Sequence, residues 1–123
     1  MREHHKRHGH HKEFEHILHK ALPLKGILHL LILKIIKRGP VHGSEIHKIL
    51  RERYNVEVPK PLVYTLLRRM ERKQLIDSYW KTAESGPVKR VYVITDKGRD
   101  YLDFSVKRLK EAKELIDELC SED

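Results

Sequence analysis

The apolar positions of this chain change their spacing several times, and each change predicts an element. From Leu24 to Ile36 most positions are apolar: Leu24, Ile27, Leu28, Leu30, Leu31, Ile32, Leu33, Ile35 and Ile36. Such density predicts a helix over about 23–37 that must be covered on more than one side. Pro23 suits its first turn, where a missing N–H costs no helical bond. Arg38-Gly39-Pro40 ends the run. Ile46, Ile49 and Leu50 then recur at helical spacing in GSEIHKILRERY, with Ser44 as the expected N-cap. YNVEV reads as an extended linker. Pro59 or Pro61 opens the next helix, whose buried stripe is Val63, Leu66, Leu67 and Met70. From Leu75 to Thr95 the pattern turns to strand, turn, strand. Val91, Tyr92, Val93 and Ile94 carry β-propensity, and Ser85-Gly86-Pro87 marks the turn. Thr95 is the expected N-cap of a last helix over about 95–119. Along it Leu102, Ser105, Leu109, Ala112, Ile116 and Leu119 alternate spacings of three and four, a coiled-coil-like seam widened by Val106 and Leu115. Before all of this, residues 1–11 have almost no apolar content and read as a disordered tail, while Phe14, Ile17 and Leu18 predict a short helix over 12–20.

The order of elements predicts a mainly α fold with a small β-wing. A winged helix-turn-helix domain occupies 23–98 and a dimerisation helix 99–123, after a His-rich tail and short helix at 1–22. A chain of 123 residues makes about one domain, with a core that is marginal for a monomer, so self-association is expected. Lys25, His29, Lys34, Lys37 and Arg38 interrupt the greasiest stretch, and the N-terminus has no apolar signal core, so no membrane partner is expected. The lone Cys120 cannot form an intrachain disulfide, which fits a reducing cytoplasm. It is read as a spectator thiol.

Charge sharpens the picture. The net charge is +8, but residues 24–94 alone carry +9, residues 1–23 carry +2 and residues 95–123 carry −3. The excess lies on the helix-turn-helix and wing, where a polyanion would dock. Asn55 and Gln74 are the only side-chain amides, and with the abundant charge this resembles a thermophile composition.

The second helix of a helix-turn-helix lies in the major groove with its N-terminal residues at base edges. Lys60, Tyr64, Thr65 and Arg68 fall on the face left free by Val63, Leu67 and Met70, with Arg69 beside them. Tyr64 suits a phosphate, and Arg68 a phosphate or a guanine. Lys89 and Arg90, just past the wing turn, suit a minor groove or its phosphates. Trp80 is expected to pack the wing onto the core. There is no nucleophile–base pair, phosphate loop or paired carboxylate in a plausible pocket, so no enzyme is expected and no cofactor is required. Seven of the ten histidines lie within the first twenty residues. His16 and His19, at i and i+3, are the candidate ligands for a transition metal.

Several segments resemble the PadR family of transcriptional regulators. GPVHGSEIHKIL is similar to the family's turn into its second helix, and VYTLLRRMERKQLI to its recognition-helix signature. Trp80 stands where the family keeps a tryptophan at the base of the wing. GPVKRVYVITDKGRDYL is similar to the passage from wing to last helix, with the Thr-x-x-Gly turn at Thr95 to Gly98. The short last helix resembles the smaller subgroup. Thr65 stands where proline is usual, Val63 where leucine is, Leu62 where a small polar residue is, and Gln74 where glycine is. The resemblance implies a homodimeric repressor on a palindromic double-stranded operator, responsive to a small molecule or another signal. An effector pocket is then expected at the dimer interface, with Phe14, Tyr101 and Phe104 as aromatic walls and Leu102, Leu109, Ala112, Ile116 and Leu119 as the dimer seam. The alternatives are a metal-responsive regulator using the His-rich segment, a low-specificity architectural DNA-binding protein, and a metal-storage or delivery protein.

Overall fold

The computed structural model describes residues 24–82 and 86–122. The expected helix at 12–20, with Phe14, His16 and His19, lies outside the described residues, as does Ser85 of the wing turn. Helix α1 (Leu24–Lys37) is followed by the two-residue strand β1 (Val41–His42), α2 (Gly43–Tyr54), α3 (Lys60–Arg72), β2 (Ile76–Lys81), β3 (Lys89–Ile94) and the long α4 (Asp96–Cys120). The strands form one antiparallel sheet in the order β1-β3-β2. Val41 pairs with Tyr92, and the β2–β3 hairpin runs from Ile76↔Ile94 out to Lys81↔Lys89.

The dense apolar face of α1 is used as its pattern requires. Leu28, Ile32, Leu33, Ile35 and Ile36 are buried, and the helix packs against α2, β3 and α4. Ile46 and Leu50 of α2 and the α3 stripe Val63, Leu66, Leu67 and Met70 close the core from the other side, with Ile76 and Tyr92 from the sheet. No described side chain in this core is charged. The core therefore rests on burial, at about 1.5–3 kcal/mol for each fully buried large aliphatic side chain.

One cap differs from expectation. Helix α2 starts at Gly43, so Ser44 sits inside its first turn and His42 is the N-cap. The His42 N–H donates to Glu45 Oε1 at 3.2 Å. The reason is the sheet: Val41 and His42 are tied to β3, and the chain enters the helix directly from that strand. The last-helix cap is as expected. Thr95 Oγ1 accepts from the Gly98 N–H at 3.0 Å and lies 2.7 Å from the Gln74 carbonyl, to which it donates.

Both amide residues serve the backbone. Asn55 (φ 56°) closes α2 and Gln74 (φ 64°) closes the turn after α3, and among the described residues these are the only non-glycine positions with positive φ. That conformation favours glycine, and asparagine tolerates it next best. It accounts for a glycine being usual at the Gln74 position in the family that the sequence resembles. Beyond Asn55, the ring of His47 is 2.8 Å from the Val58 carbonyl, which pins the linker across α2 and fixes where α3 begins.

Candidate nucleic-acid interface

Helix α3 carries its basic residues on different flanks. Pro59 is the N-cap and Pro61 lies in the first turn, so the helix begins without N–H groups it would otherwise leave unpaired. Opposite the buried stripe lies the outward face, with exposed Arg68 and half-buried Thr65, while exposed Lys60 opens the helix on the flank it shares with Tyr64. Thr65 Oγ1 donates to the Pro61 carbonyl at 2.9 Å and accepts from Arg68 Nη2 at 3.3 Å. The hydroxyl thus steers the guanidinium along the helix surface while most of its N–H donors stay free. Such a preset fork suits two acceptors on one base edge or phosphate. If Arg68 reads guanine, Arg68→Ala should weaken operator binding by about 1–3 kcal/mol, concentrated at one base pair of each half-site. Titrating single-base variants of the duplex measures this.

Tyr64 is half-buried on the flank towards the wing. Its ring lies against the start of α2 so closely that a Cβ on Gly43 would come within 2.6 Å of Cε1. A larger residue at this position would have to push the Tyr64 ring aside. Around that contact a cavity of about 230 Å³ is lined by Gly43, Ser44, Tyr64, Lys89, Arg90 and Tyr92, among others. Lys89, the ion-paired Arg90, two phenols and the positive end of α2 therefore converge there, a setting that favours a phosphate oxygen. Burial pushes the Tyr92 phenol above its ordinary value, against the opposing pull of Arg90, so it stays a neutral donor at physiological pH.

Arg90 is not a free cation. Its Nη2 lies 3.3 Å from Glu71 Oε2 on α3, and its Nε donates to Ser78 Oγ at 2.8 Å. Ser78 Oγ in turn donates to the same Glu71 oxygen at 2.8 Å. The guanidinium also lies 5.3 Å from the centre of the Trp80 ring. Trp80 does not pack the wing onto the core as expected. It is 64% exposed, because the core-facing row of β2 ends at Ile76 and the strand has left the domain by residue 80. Arg69 also departs from the outward face. It is half-buried on the flank away from the wing and lines a cavity of about 300 Å³ with Met70, Lys73, Leu75, Lys97 and Tyr101. Glu71 and Ser78, which hold Arg90, were both passed over by the sequence reading. The signal for Glu71 was a lone carboxylate in a helix end whose other polar residues are Arg68, Arg69, Arg72 and Lys73.

Along α4 the residues separate into two sets. Gly98 and Leu102 are buried in the chain's own core, so Leu102 is not part of a free seam. Ala112 is half-buried, and Leu109, Leu115, Ile116 and Leu119 are exposed, Leu119 to 84%. Tyr101 and Phe104 are exposed and share a groove of about 320 Å³ with Ile27, Leu30 and Leu109. Among the described residues no group of three or more His, Cys, Asp or Glu side chains is arranged to hold a metal ion. None of the described helices is long and apolar enough to cross a membrane.

A helix-turn-helix followed by a two-stranded wing and a long helix is the winged-helix class of DNA-binding regulators. The chain belongs to the transcriptional regulator PadR-like family, whose model matches residues 32–103. A Thermoplasma acidophilum protein of the transcriptional-regulator class matches with a TM-score of 0.73 and 33% identity, over 81% of this chain and 97% of the other. A PadR-like transcriptional regulator of Bacillus cereus matches with a TM-score of 0.72 and 31% identity, over 82% of this chain and 98% of the other. PadR of Bacillus subtilis, solved in complex with operator DNA, shares the fold with a TM-score of 0.61 at 20% identity, over 65% of this chain and 46% of the other.

Proposed function

We propose that two copies of this chain form a cytoplasmic homodimeric repressor that binds a palindromic operator and is released by a small-molecule or other signal. The observation that carries this reading is the pairing, within one chain, of an outward basic face on α3 with an uncovered apolar seam on α4. The first suits duplex DNA and the second suits another copy, and together they suit a two-fold site. The operator complex of the Bacillus subtilis protein supports the choice of ligand. For the effector, the groove at Tyr101 and Phe104 abuts the seam, so an occupant there would bias the spacing of two recognition helices. Operator DNA must then weaken that effector's binding by the same factor.

The test is a titration of full-length protein with a palindromic duplex, selected from a random pool, and with a scrambled duplex over a range of salt. Log affinity for both should fall with log salt, at a slope of about −0.9 per phosphate neutralised, and the palindrome should stay tighter throughout. Equal affinity for both duplexes at every salt concentration would favour the architectural reading. Repeating the titration with zinc, nickel, cobalt and copper, on full-length protein and on protein lacking residues 1–20, tests the metal-responsive reading built on His16 and His19. A metal-dependent change in operator affinity that is lost on truncation would support it.

A further inference from the structure

We propose that Trp80 is a direct DNA-contacting residue of the wing, seated on the sugar-phosphate backbone beside the recognition helix, and that Glu71, Ser78 and Arg90 are the bracket that holds it there. The proposal rests on the duplex-binding reading above. Side chains alternate faces along a strand, so Trp80 shares a sheet face with Ser78 and Ile76. Ile76 on that face is buried in the core, and Ser78 reaches Glu71 of α3 at 2.8 Å. The indole therefore lies in the angle between the recognition helix and the wing. When a recognition helix occupies the major groove and a wing the adjacent minor groove, the backbone strand that separates the grooves runs through that angle.

The indole is poised for this contact, with most of its surface left open by the described residues. Arg90 lies over one face of it at 5.3 Å from the ring centre, and the residue is still 64% exposed. An indole this open, held under a guanidinium and beside the recognition helix, offers a ready stacking surface. The surrounding charge selects the partner: Lys81 and Lys89 are exposed at the outer end of the same hairpin, and Arg68 and Arg72 are exposed on α3. Glu71, the acid nearest the angle, has its charge spent on Arg90. A deoxyribose offers an apolar face between two phosphates, which suits an indole flanked by cations. The bracket fixes the indole in advance, so less side-chain entropy is lost on binding.

Trp80 is the only tryptophan, so its fluorescence reports on this site alone. Full-length protein is titrated with the palindromic duplex, and acrylamide quenching of Trp80 is measured at saturation, with the anisotropy of labelled duplex as the independent measure of binding. The quenching constant should fall about threefold or more, and Trp80→Ala should weaken binding about tenfold, with Trp80→Phe keeping most of it. Far-UV circular dichroism of both variants should match the parent, because the residue is outside the core. Glu71→Gln removes a negative charge from a DNA-facing surface, so unaided electrostatics predicts tighter binding. The bracket predicts weaker binding and a shifted Trp80 emission even without DNA. Duplex bound by anisotropy with unchanged acrylamide quenching, or Trp80→Ala binding like the parent, overturns the proposal while leaving the DNA-binding reading intact. No anisotropy change with any duplex overturns both.

Discussion

Leu109→Ser together with Ile116→Ser should convert the proposed dimer to a monomer and lower affinity for a selected palindromic duplex by about 100-fold or more. Both side chains are exposed in the single chain, so their loss leaves the winged-helix core untouched. What it removes is the apolar seam of a helix 25 residues long, about 37 Å from end to end. The affinity loss follows from linkage of two half-sites. In a dimer the second recognition helix meets its half-site at a high effective concentration, an avidity that commonly exceeds single-site affinity by about 10²–10⁴. A monomer forfeits it. Sedimentation equilibrium and duplex titration on the same preparation measure both effects. A double variant that sediments as a dimer would show that α4 is not the interface.

Gly98→Ala should be the most destabilising single methyl addition among the glycines of known surroundings. A Cβ there would run into the Leu75 carbonyl oxygen and lie 2.9 Å from Ile94 Cγ1. The carbonyl belongs to the backbone and cannot swing aside. It already accepts from the Thr95 N–H at 3.1 Å, and Thr95 Oγ1 lies 3.0 Å away. Separating α4 from the start of β2 to make room would break the Thr95 cap and unseat Leu102. Overpacking typically costs about 1–3 kcal/mol, and here a cap worth about 1 kcal/mol goes with it. The melting temperature should therefore fall by about 10 °C or more. Gly26→Ala is the control, since no described atom lies within 4 Å of a Cβ at that helical position. It should leave stability unchanged or slightly raised. Equal melting of the two variants would contradict the packing described for Gly98.

Much of this architecture is written in local chemistry. The α1 run, the α3 stripe and the Thr95 cap each follow from spacing or from one side chain acting within a turn, and each lies where the pattern predicts. The departures share one cause, contacts between residues far apart in sequence. Ser44 is a good cap residue, but the pairing of His42 with Val91 starts the helix before it. Trp80 has the composition of a core residue, yet its exposure depends on how far the hairpin extends past α3. Arg69 is adjacent to Arg68 but about 100° around the helix from it, and only the placement of α4 shows that this flank faces a cavity. The fate of Arg90 was equally hidden, because its partner Glu71 is 19 residues away. Leu102 fits the heptad of the seam, and only the tertiary fold assigns it to the domain core.

The measurement that bears most directly on the central claim is a hydroxyl-radical footprint of the full-length protein on its selected duplex. Two recognition helices related by a two-fold axis should protect two matching patches, with half-site centres about 34 Å, or one helical turn, apart. A third, weaker protection should flank each patch where the wing meets the minor groove. A single patch without a dyad, or continuous protection of any duplex offered, would contradict the account.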